Sequence, residues 1–272
     1  HFSAIWIIVA NSWMQTPAGF HIVGEGLTAR AEIVDFWAMV FNPSSVDRLL
    51  HAVIGAWLAG AFLVISVSAY YLLKKRHFKF ARSSLKIGLT VGFIACMLQG
   101  ISGDSSAKGV AVNQPSKFAA FEGIFKTQSE VPLLIFGVVN PQEQRVDYAI
   151  GIPKLLSFMT HGSAQAEIKG LDQYPQKDWP NSRVVFQTYH LMIAMWVLMV
   201  LFSFVAIIQW RRGTLFTNKW MLRGLVFSVF FPQIANQAGW VSAEMGRYPW
   251  IVYDLLRISD GLSKSVTANQ VL

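Results

Sequence analysis

Apolar runs long enough to cross a bilayer alternate with charged connections along this chain. Residues 2–16 read as the last part of one helix, ended by Pro17 and Gly19. Residues 20–50 form a connection with four acids, Glu25, Glu32, Asp35 and Asp47, against Arg30 and Arg48. Within it, the apolar and aromatic stretch Val34 to Phe41 predicts a short interfacial helix, broken by Asn42-Pro43. Complete spans are predicted at 51–73, about 85–103, about 184–210 and about 220–244. The stretch 104–185 is polar and too long for a turn, so an ordered loop or small subdomain is expected. Residues 251–272 read as a polar connection towards a further helix. The fold class that follows is all-α, a polytopic transmembrane helix bundle with a large extracytoplasmic loop. Its expected segments are 1–19 (end of a truncated helix), 20–50 (extracytoplasmic connection), 51–103 (two spans with a basic cytoplasmic turn), 104–185 (the loop), 186–250 (two spans) and 251–272.

Composition agrees. Of the 272 residues, 53% are hydrophobic and 14% charged, which is a membrane composition. Cys96 is the single cysteine, so an intrachain disulfide and a thiolate metal cluster are both excluded. A net charge of +8 would suit nucleic acid on a soluble surface, but here the cations gather between apolar runs. They are Lys74, Lys75, Arg76, Lys79, Arg82 and Lys86 in one run, and Arg211, Arg212, Lys219 and Arg223 in the other. The positive-inside rule makes both runs cytoplasmic and puts 20–50 and 104–185 outside. No nucleic-acid partner is expected. His1 followed at once by an apolar run, with no initiator Met, makes an internal piece of a longer membrane protein the expectation.

The ionisable residues fall at one depth. Counted back from Lys74, His51 lies about 34 Å from the inner edge, and Met192 lies about 28 Å from Arg211. Counted from Trp220 as one straight helix, Glu244 lies about 36 Å out. A carboxylate at the end of a span is costly unless a cation, a metal or a water-filled cavity receives it. The alternative is a solvated helix end with an aromatic anchor, since Arg247, Pro249 and Trp250 follow at an interfacial position. Trp240 shares the face of Glu244, four residues before it. A lone His at a helix start is commonly interfacial, and a Met on an apolar helix is commonly core. An imidazole and a thioether at matched depth on two helices can also grip the two axial positions of one heme iron. In the loop, Lys117 and Glu122 flank Phe118 and Phe121. An acceptor for a hydroxyl proton beside an apolar slot suits a quinol, and an ordinary amphipathic loop helix is the bland alternative.

Four motifs in one order resemble subunit I of the cytochrome bd-type quinol oxidases. They are Ala10-Asn11-Ser12-Trp13-Met14-Gln15-Thr16-Pro17; Ser68 to Leu73 with Arg76 to Ala81; Gly103-Asp104 with Gln114 to Glu122; and Gly239-Trp240 with Glu244, Gly246-Arg247 and Pro249-Trp250. The resemblance is collinear over nearly the whole chain. It implies a terminal respiratory oxidase that oxidises quinol and reduces dioxygen to water, in the bacterial cytoplasmic membrane. It implies two hemes b and one heme d, with the heme d ligand outside this sequence. His51 and Met192 would be the axial ligands of low-spin heme b, and Glu244 the ligand of high-spin heme b, with Trp240 and Arg247 beside it. Lys117 and Glu122 would serve quinol oxidation in the loop 104–185. Implied partners are subunit II, optionally a small single-helix subunit, membrane quinol and dioxygen. Tyr248 stands where the family usually has Gln, and His190 where many members have Arg. The segment alone is expected to be inactive; oxygen uptake with reduced quinol by this polypeptide would refute that.

Two other readings compete. A diheme quinol-oxidising anchor of a dehydrogenase would show several histidines within spans, whereas only His51 and His190 lie near them. A transporter with a large outer loop would explain Glu244 but leave the Lys117/Glu122 pair and the His51/Met192 depths as coincidence. An absorption spectrum of the full-length protein separates the three: a chlorin band, b-type bands alone, or no heme.

Overall fold

A computed structural model describes residues 2–261; 262–272, the end of the expected polar connection, lie outside the described residues. The helices are α1 (Phe2–Gln15), α2 (Phe36–Val40), α3 (Ser45–Leu73), α4 (Phe78–Asn113), α5 (Pro115–Glu122), α6 (Leu155–His161), α7 (Ser182–Arg211), α8 (Lys219–Phe227) and α9 (Phe230–Met245). Helices α3, α4 and α7 are long and apolar enough to cross a membrane. Short antiparallel ribbons decorate the connections: β1 (Phe20–Val23) with β2 (Arg30–Ile33), β3 (Gln128–Ser129) with β6 (Glu167–Ile168), β4 (Leu133–Asn140) with β5 (Arg145–Ile152), and β7 (Trp250–Val252) with β8 (Leu256–Arg257).

The helix ends differ from the sequence expectation in instructive ways. Helix α3 starts at Ser45, immediately after Asn42-Pro43, so His51 sits within it. Helix α4 continues ten residues beyond the expected end at 103, because Asp104, Ser105, Ser106 and Lys108 are polar without breaking a helix. The span expected at 220–244 is two helices. Pro232 has no N–H for the Ser228 carbonyl, and its ring would crowd that carbonyl in a continuous helix. The Ser228 carbonyl instead accepts from Phe231 N–H at 3.1 Å, and α9 begins anew at Phe230. The 36 Å depth for Glu244 assumed a straight rod and does not stand. Neither α8 nor α9 alone has about 20 residues, the length a span needs.

The chain divides into two compact units. One holds 50–106 and 186–242. Its core stacks Leu58, Phe62, Ile65, Ala69 and Leu72 of α3 against Ala81, Leu85, Leu89 and Cys96 of α4, with Met199 of α7 and Leu225 of α8. The α3 spacing alternates four and three, which lays one continuous stripe along the helix. Gly88 and Gly92 let α4 come close: a Cβ at Gly88 would stand 3.1 Å from Ile65 Cγ1. This is the small-residue packing that brings helices together when lipid supplies no hydrophobic drive. Opposite faces expose Trp57, Leu63, Val67, Ile87, Ile94 and Phe204, as lipid contact requires. Inside, Trp196 Nε1 donates to the Cys96 carbonyl at 2.9 Å, and Ser66 Oγ to the Val226 carbonyl at 2.6 Å.

The other unit holds 2–49, 107–185 and 243–261 of the described residues. Thr16 Oγ1 donates to Asn42 Oδ1 at 2.9 Å and lies 2.7 Å from Ser44 Oγ, which ties the end of α1 to the start of α3. Helix α5 is buried at every position from Ser116 to Glu122. Pro115 opens it, and Gly123 closes it at φ 68°, a left-handed cap that costs glycine nothing. The β4–β5 hairpin turns at Pro141–Gln144, where Asn140 Oδ1 accepts from Glu143 N–H.

Candidate functional site

Within the first unit, His51 of α3 faces α4. Its Nε2 accepts from Gln99 Nε2 at 2.9 Å, and its Nδ1 lies 3.3 Å from Ser102 Oγ. The lone pair that receives Gln99 is one a metal could take. Gln99 Oε1 is buried without a hydrogen-bond partner. Gly103 leaves the ring edge open: a Cβ there would lie 3.7 Å from His51 Cε1. Met192 of α7 packs against the core with its sulfur towards Gly239 of α9, where a Cβ would stand 2.7 Å from Sδ. Glycine at 239 is therefore a condition for that thioether position. His190 stacks on Phe186 with ring centroids 3.9 Å apart, and its Nδ1 lies 2.9 Å from the Phe186 carbonyl oxygen, so the ring is held along its own helix. Trp240 projects from α9 and is 47% exposed.

In the second unit, each carboxylate oxygen of Glu244 accepts a hydrogen bond. Oε1 accepts from Asn11 Nδ2 at 2.9 Å, and Oε2 accepts from Arg247 at 2.6 Å. Asn11 also accepts from Arg48 through its side-chain oxygen. Two cations thus flank one carboxylate. Arg48 Nε and Arg247 Nε and Nη1 are buried without partners. Burial holds the Arg247 guanidinium below its ordinary pKa, and the Glu244 charge opposes that. Arg48, Asn11, Gln15 and Gln99 were not singled out from sequence. The available signal was three polar side chains, Asn11, Ser12 and Gln15, at the end of an apolar helix.

The second cluster surrounds Lys117, which is 1% exposed. Its amine donates to Gln15 Oε1 at 2.8 Å and to Gln114 Oε1 at 3.4 Å, and lies 5.8 Å from the Phe121 ring centroid. Burial, and then the repulsion of Arg48, hold its pKa well below the ordinary lysine value. Glu122 is equally buried but lies about 140° around α5 from Lys117. It borders a cavity of about 260 Å³ with Phe125, Val131, Pro132 and Leu134. A second cavity, of about 340 Å³, is bordered by Gln15, Phe20, Asn113, Tyr253 and Asp254. Both approach the size of small-molecule sites, about 300 Å³ and upward.

The donors present fit heme iron: a neutral imidazole lone pair, a thioether beside a glycine, and a carboxylate held by a cation and an amide. The three unpartnered arginine N–H groups suit the carboxylate side groups of a porphyrin. Among the described residues, no cluster of three or more His, Cys, Asp or Glu could hold a bare metal ion instead.

Comparisons with known proteins place this chain in a family. The model for "Cytochrome bd terminal oxidase subunit I" matches residues 1–272. The chain is 32% identical to the Bacillus subtilis cytochrome bd ubiquinol oxidase subunit 1, over 99% of this chain and 59% of that protein. It is 28% identical to the Escherichia coli cytochrome bd-II ubiquinol oxidase subunit 1, over 94% of this chain and 62% of that one. It therefore spans less than two thirds of these relatives. The structure of bd oxidase from Geobacillus thermodenitrificans superposes with a TM-score of 0.87 at 28% identity, covering 99% of this chain and 61% of that one. The fold, a helical membrane bundle, is shared with that oxidase. The chain belongs to the cytochrome bd terminal oxidase subunit I family.

Proposed function

We propose that this chain is the part of a terminal respiratory quinol oxidase subunit that carries quinol oxidation and two heme b sites. The enzyme is a quinol:oxygen oxidoreductase of the bacterial cytoplasmic membrane. It oxidises quinol and reduces dioxygen to water through hemes b and d. The hemes supply one-electron transfer and oxygen reduction when bound. His51 and Met192 would hold low-spin heme b, which would supply electron transfer there. Glu244 holds high-spin heme b as a single weak ligand, with Arg247 and Asn11 fixing the carboxylate and Trp240 packing nearby. Subunit II, and optionally a small single-helix subunit, complete the assembly.

At the quinol site, Glu122 is the acceptor for a hydroxyl proton, beside a cavity of mixed lining in which Phe125, Val131, Pro132 and Leu134 supply the apolar side for a ring. Lys117 positions the quinol oxygen: its buried amine can donate or accept according to its own protonation. The loop 104–185 faces outside in a multi-pass topology, so quinol protons leave on that side. The two basic runs support this orientation. One observation carries the reading: the family match extends over residues 1–272, the range in which all the candidate residues lie.

The test is the full-length protein in its own membrane. Chlorin absorption together with quinol-dependent oxygen uptake is expected. Its loss of quinol oxidation in Glu122→Gln, with all heme bands intact, is also expected. Membranes showing b-type bands alone would replace this reading with the dehydrogenase anchor.

A further inference from the structure

We propose that Gln15, the last residue of α1, is the positioning residue for the Lys117 amine at the quinol-oxidation site. The proposal rests on the placement of Lys117 at that site. Four observations point to it. Gln15 is completely buried, in a chain where a buried carboxamide must find partners for both of its ends. Both ends are used, and in one sense only. Nε2 donates to the Ala243 carbonyl at 3.3 Å, which turns Oε1 towards Lys117, where it accepts at 2.8 Å. Gln114, the other acceptor, is longer at 3.4 Å and has its own Nε2 buried without a partner, so it holds the amine less firmly. Finally, Gln15 borders the cavity of about 340 Å³ whose lining does not include Lys117, so Gln15 touches both that cavity and the amine.

The acceptor chemistry matters as much as the geometry. An ammonium has three donors and no acceptor, and near a carboxylate it would keep its proton. The acceptors that hold Lys117 are neutral amide oxygens, which fix the position of the nitrogen without pinning its charge. A lysine so held can change protonation as quinol arrives and leaves. Gln15 also hangs from the carbonyl of the residue before Glu244, so its rotamer is set by the same helix end that carries a heme ligand.

The experiment uses the full-length oxidase complex, with the reduced form of a water-soluble tetramethyl benzoquinone as the donor. Four variants are compared with the parent: Gln15→Leu, Lys117→Met, the double variant, and Gln15→Glu. Hydrogen bonds to charged groups are strong enough that Gln15→Leu is expected to lower kcat/KM for quinol about tenfold or more, mostly through KM, with unchanged heme bands. In the Lys117→Met background the same substitution is expected to change nothing further. Gln15→Glu, with a carboxylate beside the amine, is expected to move the acid limb of the pH profile to higher pH at near-parental KM.

Lys117→Met impaired with Gln15→Leu within twofold of the parent would overturn the proposal alone. So would additive losses in the double variant, because Gln15 would then act through some other group. A silent Lys117→Met would remove the site assignment underneath, and the proposal with it. Should Gln15→Leu fail to accumulate, Gln15→Glu decides through the pH profile, and an unmoved limb overturns the proposal.

Discussion

Gly239 offers the sharpest probe of heme ligation in the chain. A Cβ at this position would lie 2.7 Å from Met192 Sδ and 3.6 Å from Met192 Cγ. Cβ contacts below 3.0 Å are essentially never seen and ordinary van der Waals contact begins at 3.4 Å, so alanine here must push the sulfur by about 0.3 to 0.7 Å (3.0 or 3.4 minus 2.7) or move the helix. Metal–ligand distances tolerate about 0.2 Å. The displacement exceeds that tolerance, and the thioether is the weaker of the two axial donors. Gly239→Ala in the full-length protein is therefore expected to convert low-spin heme b to a high-spin form. The assay is the reduced spectrum with and without carbon monoxide: the low-spin b band should weaken, and carbon monoxide should bind where it did not before. Gly60→Ala is the control, because nothing lies within 4 Å of a Cβ there and alanine favours the helix. A Gly239→Ala protein with an unaltered low-spin band and no new carbon monoxide binding would refute the placement of Met192 on the iron.

Other consequences follow from the same geometry. Gly88→Leu would drive a side chain into Ile65 and Val64, at 3.1 and 3.3 Å from the Cβ alone; overpacking of this kind costs about 1–3 kcal/mol and should lower the thermal unfolding temperature in detergent. Arg247→Leu strips Glu244 of its 2.6 Å partner, so the high-spin heme b signature should be lost or shifted while low-spin heme b stays; an unchanged high-spin band would contradict the role of this pair. Lys117 has a folded-state pKa held below its unfolded value, so its stabilising contribution is present above the unfolded pKa and is lost as pH falls through the folded one. Lys117→Met should therefore gain thermal stability over the parent as pH is lowered, and parallel curves at all pH values would count against a buried amine.

The long helices were legible because α3, α4 and α7 are apolar enough to announce themselves by length alone. Their ends were not. Local polarity at Asp104 to Lys108 imitates a loop, yet α4 runs on, since those side chains do not compete strongly enough with the helix. The break before α9 was written in Pro232, but hydropathy counting passes over a single proline in an apolar run. The hairpin β4–β5 hid inside a stretch read only as polar, although Asn140-Pro141 marks its turn. His51 and Met192 were singled out by residue type and depth, Lys117 and Glu122 by their spacing in the loop, and Glu244 by residue type, its depth count failing at the break before α9. Their neighbours were not, because Gln15 reaches Lys117 across 102 positions, and Asn11 reaches Glu244 across 233. No periodicity records such contacts; only the packing of α1 against the loop and the chain end brings them together.

The account depends most on one iron sharing His51 and Met192. Its most direct measurement is the magnetic circular dichroism of the full-length protein as isolated, beside His51→Ala and Met192→Leu. Both variants are expected to lose the low-spin signal of the same heme b, leaving the other hemes unchanged. Loss of different hemes in the two variants, or an intact low-spin signal in either, would contradict it.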